Sequence, residues 1–259
     1  INAQEVGNLI NQITGSINNS SGGEKLSLFM RSLQVPKLAF AQLINIGQSI
    51  NTLLATDLPS LAKGLQLAFR QEGIRDALRA GSTLDSVFRE MHTTFGGSLG
   101  FTDWFLKWTG FSWTEKFNRT VATNAGMAWA QRLKEDLIKN PTNQMAKDSL
   151  VELGINPTEI LKREFTKEEL LTAGFRISNA TQFRARPLDL PAFASSPLGK
   201  VAFQFKNFAY NQSIFLKRQL IDEFAKGHYG RGVRNLFVLA TVFPMTGEVL
   251  GDIRSLATG

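Results

Sequence analysis

Signals for the start of a helix recur along this 259-residue chain, and they constrain its fold more than any other feature. In a capping box, an N-cap Ser or Thr is followed three residues later by an acid that bonds back to a free amide. The sequence has three of them, at Ser82 with Asp85, Ser112 with Glu115 and Thr166 with Glu169. Asn140 and Asn156 are each followed by proline, which suits the first position of a helix. Strand patterns joined by Asn-Gly or Asp-Gly turns are missing. The sequence therefore predicts an all-α, multi-helix bundle of short and medium helices.

Changes in composition predict three regions. Residues 1–23 form an N-terminal helical arm and linker, because helical spacing gives way to the polar run Ser16–Lys25. Residues 24–176 form the helical bundle, in which 58–81 reads as a single helix closing at Gly81. Residues 177–259 begin as an extended arm with three prolines and continue as a C-terminal helical hairpin that packs on the bundle. Since the first residue is Ile1, we expect the chain to be a piece of something longer.

The stretch from Leu198 to Leu220 predicts a helix with two apolar sides. At 100° per residue a broad core face gathers Val201, Phe205, Phe208, Ala209, Phe215, Leu216 and Leu220. A second stripe, at spacings of seven, four and seven, contains Phe203, Tyr210, Ile214 and Ile221. Exposing four such side chains would forgo roughly 1.5 to 3 kcal/mol each. We therefore expect the stripe to be covered, either by another helix of this chain or by a partner subunit, and we assign it as a protein interface.

Positive charge is concentrated near the C-terminal third. The chain has a net charge of +7, and residues 184–234 hold nine basic and three acidic side chains. Such a region fits a solvated face, nucleic acid, anionic lipid or an acidic protein surface. Under the nucleic-acid hypothesis the contacts are Arg184, Arg186, Lys200, Lys206, Lys217, Arg218, Arg231 and Arg234.

An aromatic cluster, Phe101 to Phe117, holds three of the four tryptophans. Its members could pack in the core, stack on single-stranded nucleic acid or lie at a membrane surface. The side chains assigned to this membrane or core cluster are Trp104, Trp108, Phe111 and Trp113. The longest apolar run, Leu236–Phe243, is much shorter than the roughly 20 residues of a membrane-spanning helix, so we expect no transmembrane helix.

Residues for familiar catalytic chemistry are scarce. The chain has no cysteine and two histidines, His92 and His228, in unrelated contexts. Carboxylate pairs such as Glu168 with Glu169 and Asp222 with Glu223 are adjacent in sequence, about 100° apart on a helix, which does not aim both carboxylates at one point. We expect no catalytic residue, no metal site and no cofactor in this chain.

Two segments, Asn179–Gln212 and Val242–Leu256, resemble the closing part of helical regions in very large phage and mobile-element polyvalent proteins. These include internal virion proteins that leave the capsid with the genome. The similar positions are Thr181, Gln182 and Phe183, the run Ser196–Gly199, Gln204, Phe205, Lys206 and Phe208, and Gly247, Glu248 and Gly251. The resemblance covers about a third of the chain and is tied to no catalytic position.

The resemblance implies a structural, non-enzymatic segment of a phage internal virion or ejection protein. Such a segment oligomerises and helps to conduct DNA through the tail or the cell envelope, residing first in the virion interior and then in the host envelope. The expected partners are further copies of the chain, portal, tail or other ejection proteins, with DNA and membrane contact as additional possibilities. The alternative is a nucleic-acid- or lipid-binding helical module of a larger polyvalent effector whose catalysis lies elsewhere. A third reading is an enzyme whose active site the sequence does not reveal.

Overall fold

A computed structural model describes residues 49–82, 111–182 and 206–241. Within these ranges the secondary structure consists of helices, with no β-strand, which confirms the predicted all-α class. None of the helices in these ranges is long and apolar enough to cross a membrane.

Within each described range the helices follow one another with short connections. In chain order they are α1 (49–55), α2 (Leu58–Ala68), α3 (Gln71–Arg79), α4 (Phe111–Lys139), α5 (Gln144–Glu152), α6 (Pro157–Ile160), α7 (Lys167–Thr181), α8 (Lys206–Lys217), a π-helical turn (Arg218–Asp222), α9 (Glu223–Ala225) and α10 (229–241). The π-helical turn joins α8 and α9 into one continuous helical segment.

The chain divides into two compact units. One comprises Ile1–Gln42, Leu84–Trp113 and Phe183–Ser213, and of it the structure describes only 111–113 and 206–213. The other comprises Leu43–Thr83, Thr114–Gln182 and Ile214–Gly259. We call this second unit the helical core unit, and the packing described below belongs to it.

Helix α4 is the centre of the helical core unit. Between residues 118 and 130 every residue except the half-buried Ala128 is buried. This stretch has no single polar face, and its side chains bond to nearby backbone instead. Thr123 Oγ1 donates to Arg119 O at 2.8 Å, and Asn124 Nδ2 donates to Thr120 O at 2.8 Å and to Gly73 O at 3.1 Å. Buried polar groups are tolerated because they have such partners.

Two helices approach α4 closely because glycine removes the side chain at each crossing. A Cβ on Gly64 of α2 would lie 2.6 Å from Val121 O, and one on Gly174 of α7 would lie 2.6 Å from Thr123 O. Opposite Gly174, a Cβ on Gly126 would lie 2.8 Å from the Ile177 Cβ. Backbone therefore packs almost directly on backbone at these two crossings.

The predicted helix 58–81 is wrong, because α2 and α3 are separate. Arg70 has extended backbone angles and caps α3. The chain turns there so that α3 folds back on α2, and a Cβ on Gly73 would lie 2.3 Å from Leu67 O. The Phe69 ring packs on Phe117 at a centroid distance of 5.2 Å. Tertiary contact ends a pattern that helical periodicity alone would continue.

The predicted helix starts fare differently. The capping box of Thr166 and Glu169 is confirmed, and so is Asn156 with Pro157 at the first helical position. Ser112 is not a cap, because Phe111 is already helical. Asn140 is not the cap of α5 either; its side chain accepts bonds from the Thr142 amide and hydroxyl, and Asn143 caps the helix instead. The capping partner Asp85 of Ser82 lies outside the described residues.

The predicted extended arm from residue 177 is wrong over its first five residues. Helix α7 continues to Thr181, because Ile177, Ser178 and Thr181 are buried against the bundle and Thr181 Oγ1 donates to Ile177 O at 2.8 Å. The proline-containing remainder of the arm, 183–200, lies outside the described residues, as do the N-terminal arm and linker 1–23 and residues 242–259 of the predicted C-terminal hairpin.

Candidate functional site

Helix α10 turns its polar side chains toward the interior of the helical core unit. Arg231, Arg234 and Asn235 lie at i, i+3 and i+4, so they share one face of the helix. Asn235 is fully buried and Arg231 nearly so. We call these three residues the α10 polar face.

The α10 polar face binds the carboxyl end of α1. Arg231 Nη2 donates to Ala55 O at 2.7 Å and Arg234 Nη1 donates to Thr56 O at 2.7 Å. Leu54 O accepts from Arg234 Nη2 at 3.1 Å and from Asn235 Nδ2 at 3.3 Å. The last carbonyls of a helix lack intrahelical donors and carry partial negative charge. Two guanidinium groups therefore supply both the missing hydrogen bonds and the matching charge.

Arg231 is also held from its other sides. Its guanidinium carbon lies 4.9 Å from the centre of the Trp129 ring, a cation–π distance. Nη1 lies 3.5 Å from Glu223 Oε1 and donates to Ser149 Oγ at 3.3 Å. Burial lowers the pKa of Arg231, and the negative charge of Glu223 opposes that change.

Arg234 is less deeply buried. Burial, with a smaller contribution from the neighbouring Arg231, lowers the pKa of Arg234 to about 10. A guanidinium with that pKa stays charged at neutral pH. Both arginines are thus cations whose charge is used within the fold.

A Schellman motif places His228 beside Glu223. Gly227, with φ of 79°, ends α9; its amide donates to Phe224 O at 3.0 Å, and the His228 amide donates to Glu223 O at 2.9 Å. This pattern brings the residue after the glycine against the residue five positions earlier. Here the two side chains are in contact: His228 Nδ1 lies 3.0 Å from Glu223 Oε2.

The other ring nitrogen of His228 faces a second carboxylate. Nε2 lies 3.2 Å from Asp148 Oδ2 of α5, although without hydrogen-bond geometry. The buried Glu223 lies between His228 and Arg231, and Asp148 lies at the edge of this group. We call Asp148, Glu223, His228 and Arg231 the ionic cluster.

An open cleft of about 460 Å³ borders the ionic cluster. It is lined by Asn143, Gln144, Met145, Lys226, Gly227, His228, Tyr229, Gly230 and Arg231. Lys226 is paired with Glu152, which raises the pKa of Lys226 through their hydrogen bond. No serine, threonine or cysteine is among these lining residues, so a histidine-activated nucleophile is missing from this cleft. Across the described part of the chain, no group of three His, Asp or Glu side chains is arranged to hold a metal ion.

The predicted protein interface is only partly visible. Tyr210 is 52% exposed and Ile221 is 61% exposed, whereas Ile214 is half-buried and Phe203 lies outside the described residues. Ile221 falls in the π-helical turn, where i to i+5 bonding replaces the regular 100° step. The stripe is therefore not continuous along one line of the helix, although Tyr210 and Ile221 are on the surface. On the opposite side Phe215 is buried, as the predicted core face requires.

The predicted nucleic-acid residues have different environments. Arg231 and Arg234 bind the fold itself, as described above, so their guanidinium groups are not turned toward solvent. Lys217 Nζ pairs with Asp222 Oδ1 at 2.7 Å, and Arg218 is exposed. Lys206 is in α8 but its side chain is not described, and Arg184, Arg186 and Lys200 lie outside the described residues.

Most of the aromatic cluster lies outside the described residues. Trp104 and Trp108 lie outside the described residues, as does His92. Phe111 and Trp113 belong to the first turn of α4, without a description of their side chains.

The ionic cluster and the α10 polar face were not predicted. One signal for part of them was present, because a glycine ending a helix brings the next residue against the residue five positions before it. Applied to Gly227, that rule pairs His228 with Glu223. No such local rule connects Arg231 to Ala55, which is 176 residues away.

Comparison with known proteins gives no relative on which to rest a function: no protein-family model, curated protein or solved structure matches the chain.

Proposed function

We propose that this chain is a non-enzymatic, self-associating helical segment of a phage internal virion or ejection protein, which helps to conduct DNA through the tail or the cell envelope. The resemblance of residues 179–212 and 242–256 supplies the phage context. The observation that carries self-association is the exposure of large apolar side chains on the C-terminal helices, including Tyr210 and Ile221.

Exposed apolar side chains support a protein partner when they are grouped. Single ones are ordinary on a soluble protein. The described C-terminal segment, 206–241, has six large apolar side chains that are more than half exposed: Tyr210, Ile221, Tyr229, Val233, Leu236 and Phe237. Four of them, Tyr229, Val233, Leu236 and Phe237, share one side of α10, and grouped apolar surface is typical of sites where another protein docks.

The chemistry of the ionic cluster supports a non-enzymatic role. The contacts of His228 are two carboxylates, and Glu223 is in turn close to a guanidinium. The side chains of the cluster are therefore engaged with one another within the fold. This arrangement fixes α5, α9 and α10 to one another, and it uses the histidine as a link rather than as a base for a substrate.

Self-association is tested by the mass of the purified chain over a wide concentration range. We expect mass photometry and light scattering to show species heavier than the 28.7 kDa monomer, increasing with concentration. A chain that stays monomeric from nanomolar to high micromolar concentration would contradict the proposal.

A pair of variants tests whether the predicted stripe takes part. Tyr210→Glu combined with Ile221→Glu should lower the mass while the helical circular dichroism signal is unchanged, because both side chains are exposed. Ile138→Glu on α4 is the matched control, since Ile138 is 59% exposed. Equal loss of mass in the variant and the control would show a nonspecific effect of charge.

A further inference from the structure

Helix α10 has its charges inside and its apolar side chains outside. Its thirteen described residues, 229–241, include two charged ones, Arg231 and Arg234, and both bind the carboxyl end of α1. On the opposite side Tyr229, Val233, Leu236 and Phe237, spaced four, three and one apart, are between 52% and 67% exposed. We call these four side chains the α10 outer face.

This arrangement is the reverse of an ordinary surface helix, which buries its apolar stripe and exposes its charges. The orientation of α10 is fixed, because turning the outer face inward would expose the buried Asn235 and withdraw three side chains from the carbonyls of α1. Close packing adds to this, since a Cβ on Gly232 would lie 2.9 Å from the Phe224 ring. The apolar outer face is thus a stable feature of the fold.

We propose that the α10 outer face is a two-fold interface with a second copy of this chain. The inference rests on the proposed self-association and names the surface that mediates it. Cores of protein interfaces are depleted of charge and enriched in aromatic side chains, as the α10 outer face is. In a two-fold contact a surface meets itself, so a surface without charge avoids like-charge repulsion.

The size of the face fits a contact between two copies. Two aromatic and two aliphatic side chains, each more than half exposed, present on the order of 500 Å² per copy. Two copies together reach roughly 1,000 Å², the lower limit for a specific protein–protein interface.

A lipid surface is a poorer match for this face. Helices that lie on membranes combine their apolar side with Lys or Arg that reach the anionic headgroups. The two arginines of α10 are directed into the fold, and the outer face has tyrosine as its only polar group. Protein therefore fits better than lipid.

A matched pair of substitutions tests the interface in the full chain. Val233 and Val151 are both 59% exposed and both helical, so Val233→Glu and Val151→Glu differ in location alone. In a two-fold contact each substitution acts twice, and we expect Val233→Glu to weaken association on the order of 100-fold or more, with Val151→Glu unchanged. Phe237→Glu should act like Val233→Glu.

The lack of cysteine allows an independent test by cross-linking. The variants are Val233→Cys, Leu236→Cys and Phe237→Cys. The one whose cysteine lies nearest the two-fold axis should give disulfide-linked dimers on mild oxidation, whereas Val151→Cys should not. The intact chain is used throughout, and circular dichroism monitors its fold.

The possible outcomes separate this inference from the proposed function. A monomeric wild-type chain overturns both. A wild-type oligomer that survives Val233→Glu and Phe237→Glu, and forms no cross-link along α10, overturns the α10 interface alone. Unfolding of the glutamate variants would show that this face is covered within the chain, which also overturns it. If the glutamate variants lose the wild type's binding to phosphatidylglycerol vesicles but keep its oligomeric mass, the face is assigned to lipid instead, and the α10 interface is overturned.

Discussion

Arg231 is a residue on which buried contacts from several helices converge. It touches the carboxyl end of α1, the Trp129 ring, Ser149 of α5 and Glu223 of α9. Arginine is suited to this position because its planar guanidinium donates in several directions and also stacks on an aromatic ring. Lysine offers one compact charge and could not replace these contacts.

We expect Arg231→Met to reduce the free energy of unfolding by about 3 kcal/mol, because it removes the guanidinium beside the buried Glu223 and the donor to the Ala55 carbonyl. Urea unfolding followed by circular dichroism measures the change. Arg218→Met, an exposed position on the same helical segment, should change stability by less than about 0.5 kcal/mol.

A double-variant cycle separates charge from packing at this position. If the charge of Glu223 is what makes Arg231→Met costly, then adding Glu223→Leu should recover part of the loss. A double variant as unstable as the sum of the two single variants would instead assign the effect to lost hydrogen bonds and ring contact.

Single-residue patterns were readable from sequence only where the partner is local. The Thr166 capping box and the Asn156 cap involve residues within one turn, and both were predicted. Either Asn140 or Asn143 could cap α5 by local pattern. Asn143 does so, because the Asn140 side chain is engaged in a turn with Thr142. The contacts of Arg231 span most of the helical core unit, so no sequence window contains both partners.

Among the elements, α7 combines a strong start with a close crossing. At its start Glu169 completes the capping box and pairs with Arg163, whose Nη2 lies 2.7 Å from Glu169 Oε1. The bond from Arg163, followed by the backbone bond from Thr166, lowers the pKa of Glu169 to about 2. Seven residues into the helix, Gly174 packs on α4.

The acid stability of the chain should reflect Glu169. Because its pKa is lower in the folded chain than in the unfolded chain, its stabilisation is complete above about pH 5 and disappears as the pH falls toward 2. The wild type should therefore exceed Glu169→Gln in unfolding free energy at neutral pH and converge with it near pH 2. Urea titrations at several pH values measure this, and a constant difference across the range would contradict it. Thr166→Ala should cost about 1 kcal/mol at neutral pH.

Two glycine substitutions test the helix crossings. Gly174→Ala should destabilise the chain by about 2 kcal/mol or more, because the added Cβ would meet Thr123 O at 2.6 Å. Gly230→Ala should be neutral or stabilising by up to about 1 kcal/mol, since alanine favours a helix and the added Cβ would meet no neighbouring element within 4 Å. Thermal unfolding compares the two, and equal effects would mean that α7 and α4 are not in close contact.

The existence of helices was predictable, but their packing was not. Helical periodicity and caps are local, and they led to the right fold class. The break between α2 and α3, the extension of α7 to Thr181 and the π-helical turn depend on contacts between elements. In the π-helical turn, the Gln219 carbonyl accepts from Asn235 Nδ2 at 2.9 Å, so α10 supplies a partner that the local sequence lacks.

At the scale of the whole molecule, net charge is a poor guide to the charge that is available to a partner. The chain has a net charge of +7, but Arg231 and Arg234 are engaged in the fold and Lys217 is paired with Asp222. Only part of the predicted basic region could therefore meet phosphates.

Any DNA binding by the chain should be weak in sequence preference and steep in salt dependence. We expect the logarithm of the affinity to fall with the logarithm of salt concentration, with a slope of about 0.9 per phosphate neutralised on duplex DNA. Arg218→Ala should reduce that slope by about one such contact. Fluorescence anisotropy with a labelled duplex at several salt concentrations measures it. No binding at low salt would remove DNA from the list of partners.

The hydrogen bonds from α10 to the carboxyl end of α1 also determine when, during synthesis, this end of α1 acquires its partners. The Ala55 carbonyl and the Arg231 guanidinium are separated by 176 residues. At about 5 to 20 residues per second, the carboxyl end of α1 is synthesised roughly 9 to 35 seconds before its donors. Contacts of such long range also slow folding, because a large loop must close before they form. The helical core unit is therefore completed only when α10 has been made. A nascent chain stopped before residue 231 should leave the carboxyl end of α1 without these donors and accessible to chaperones and proteases.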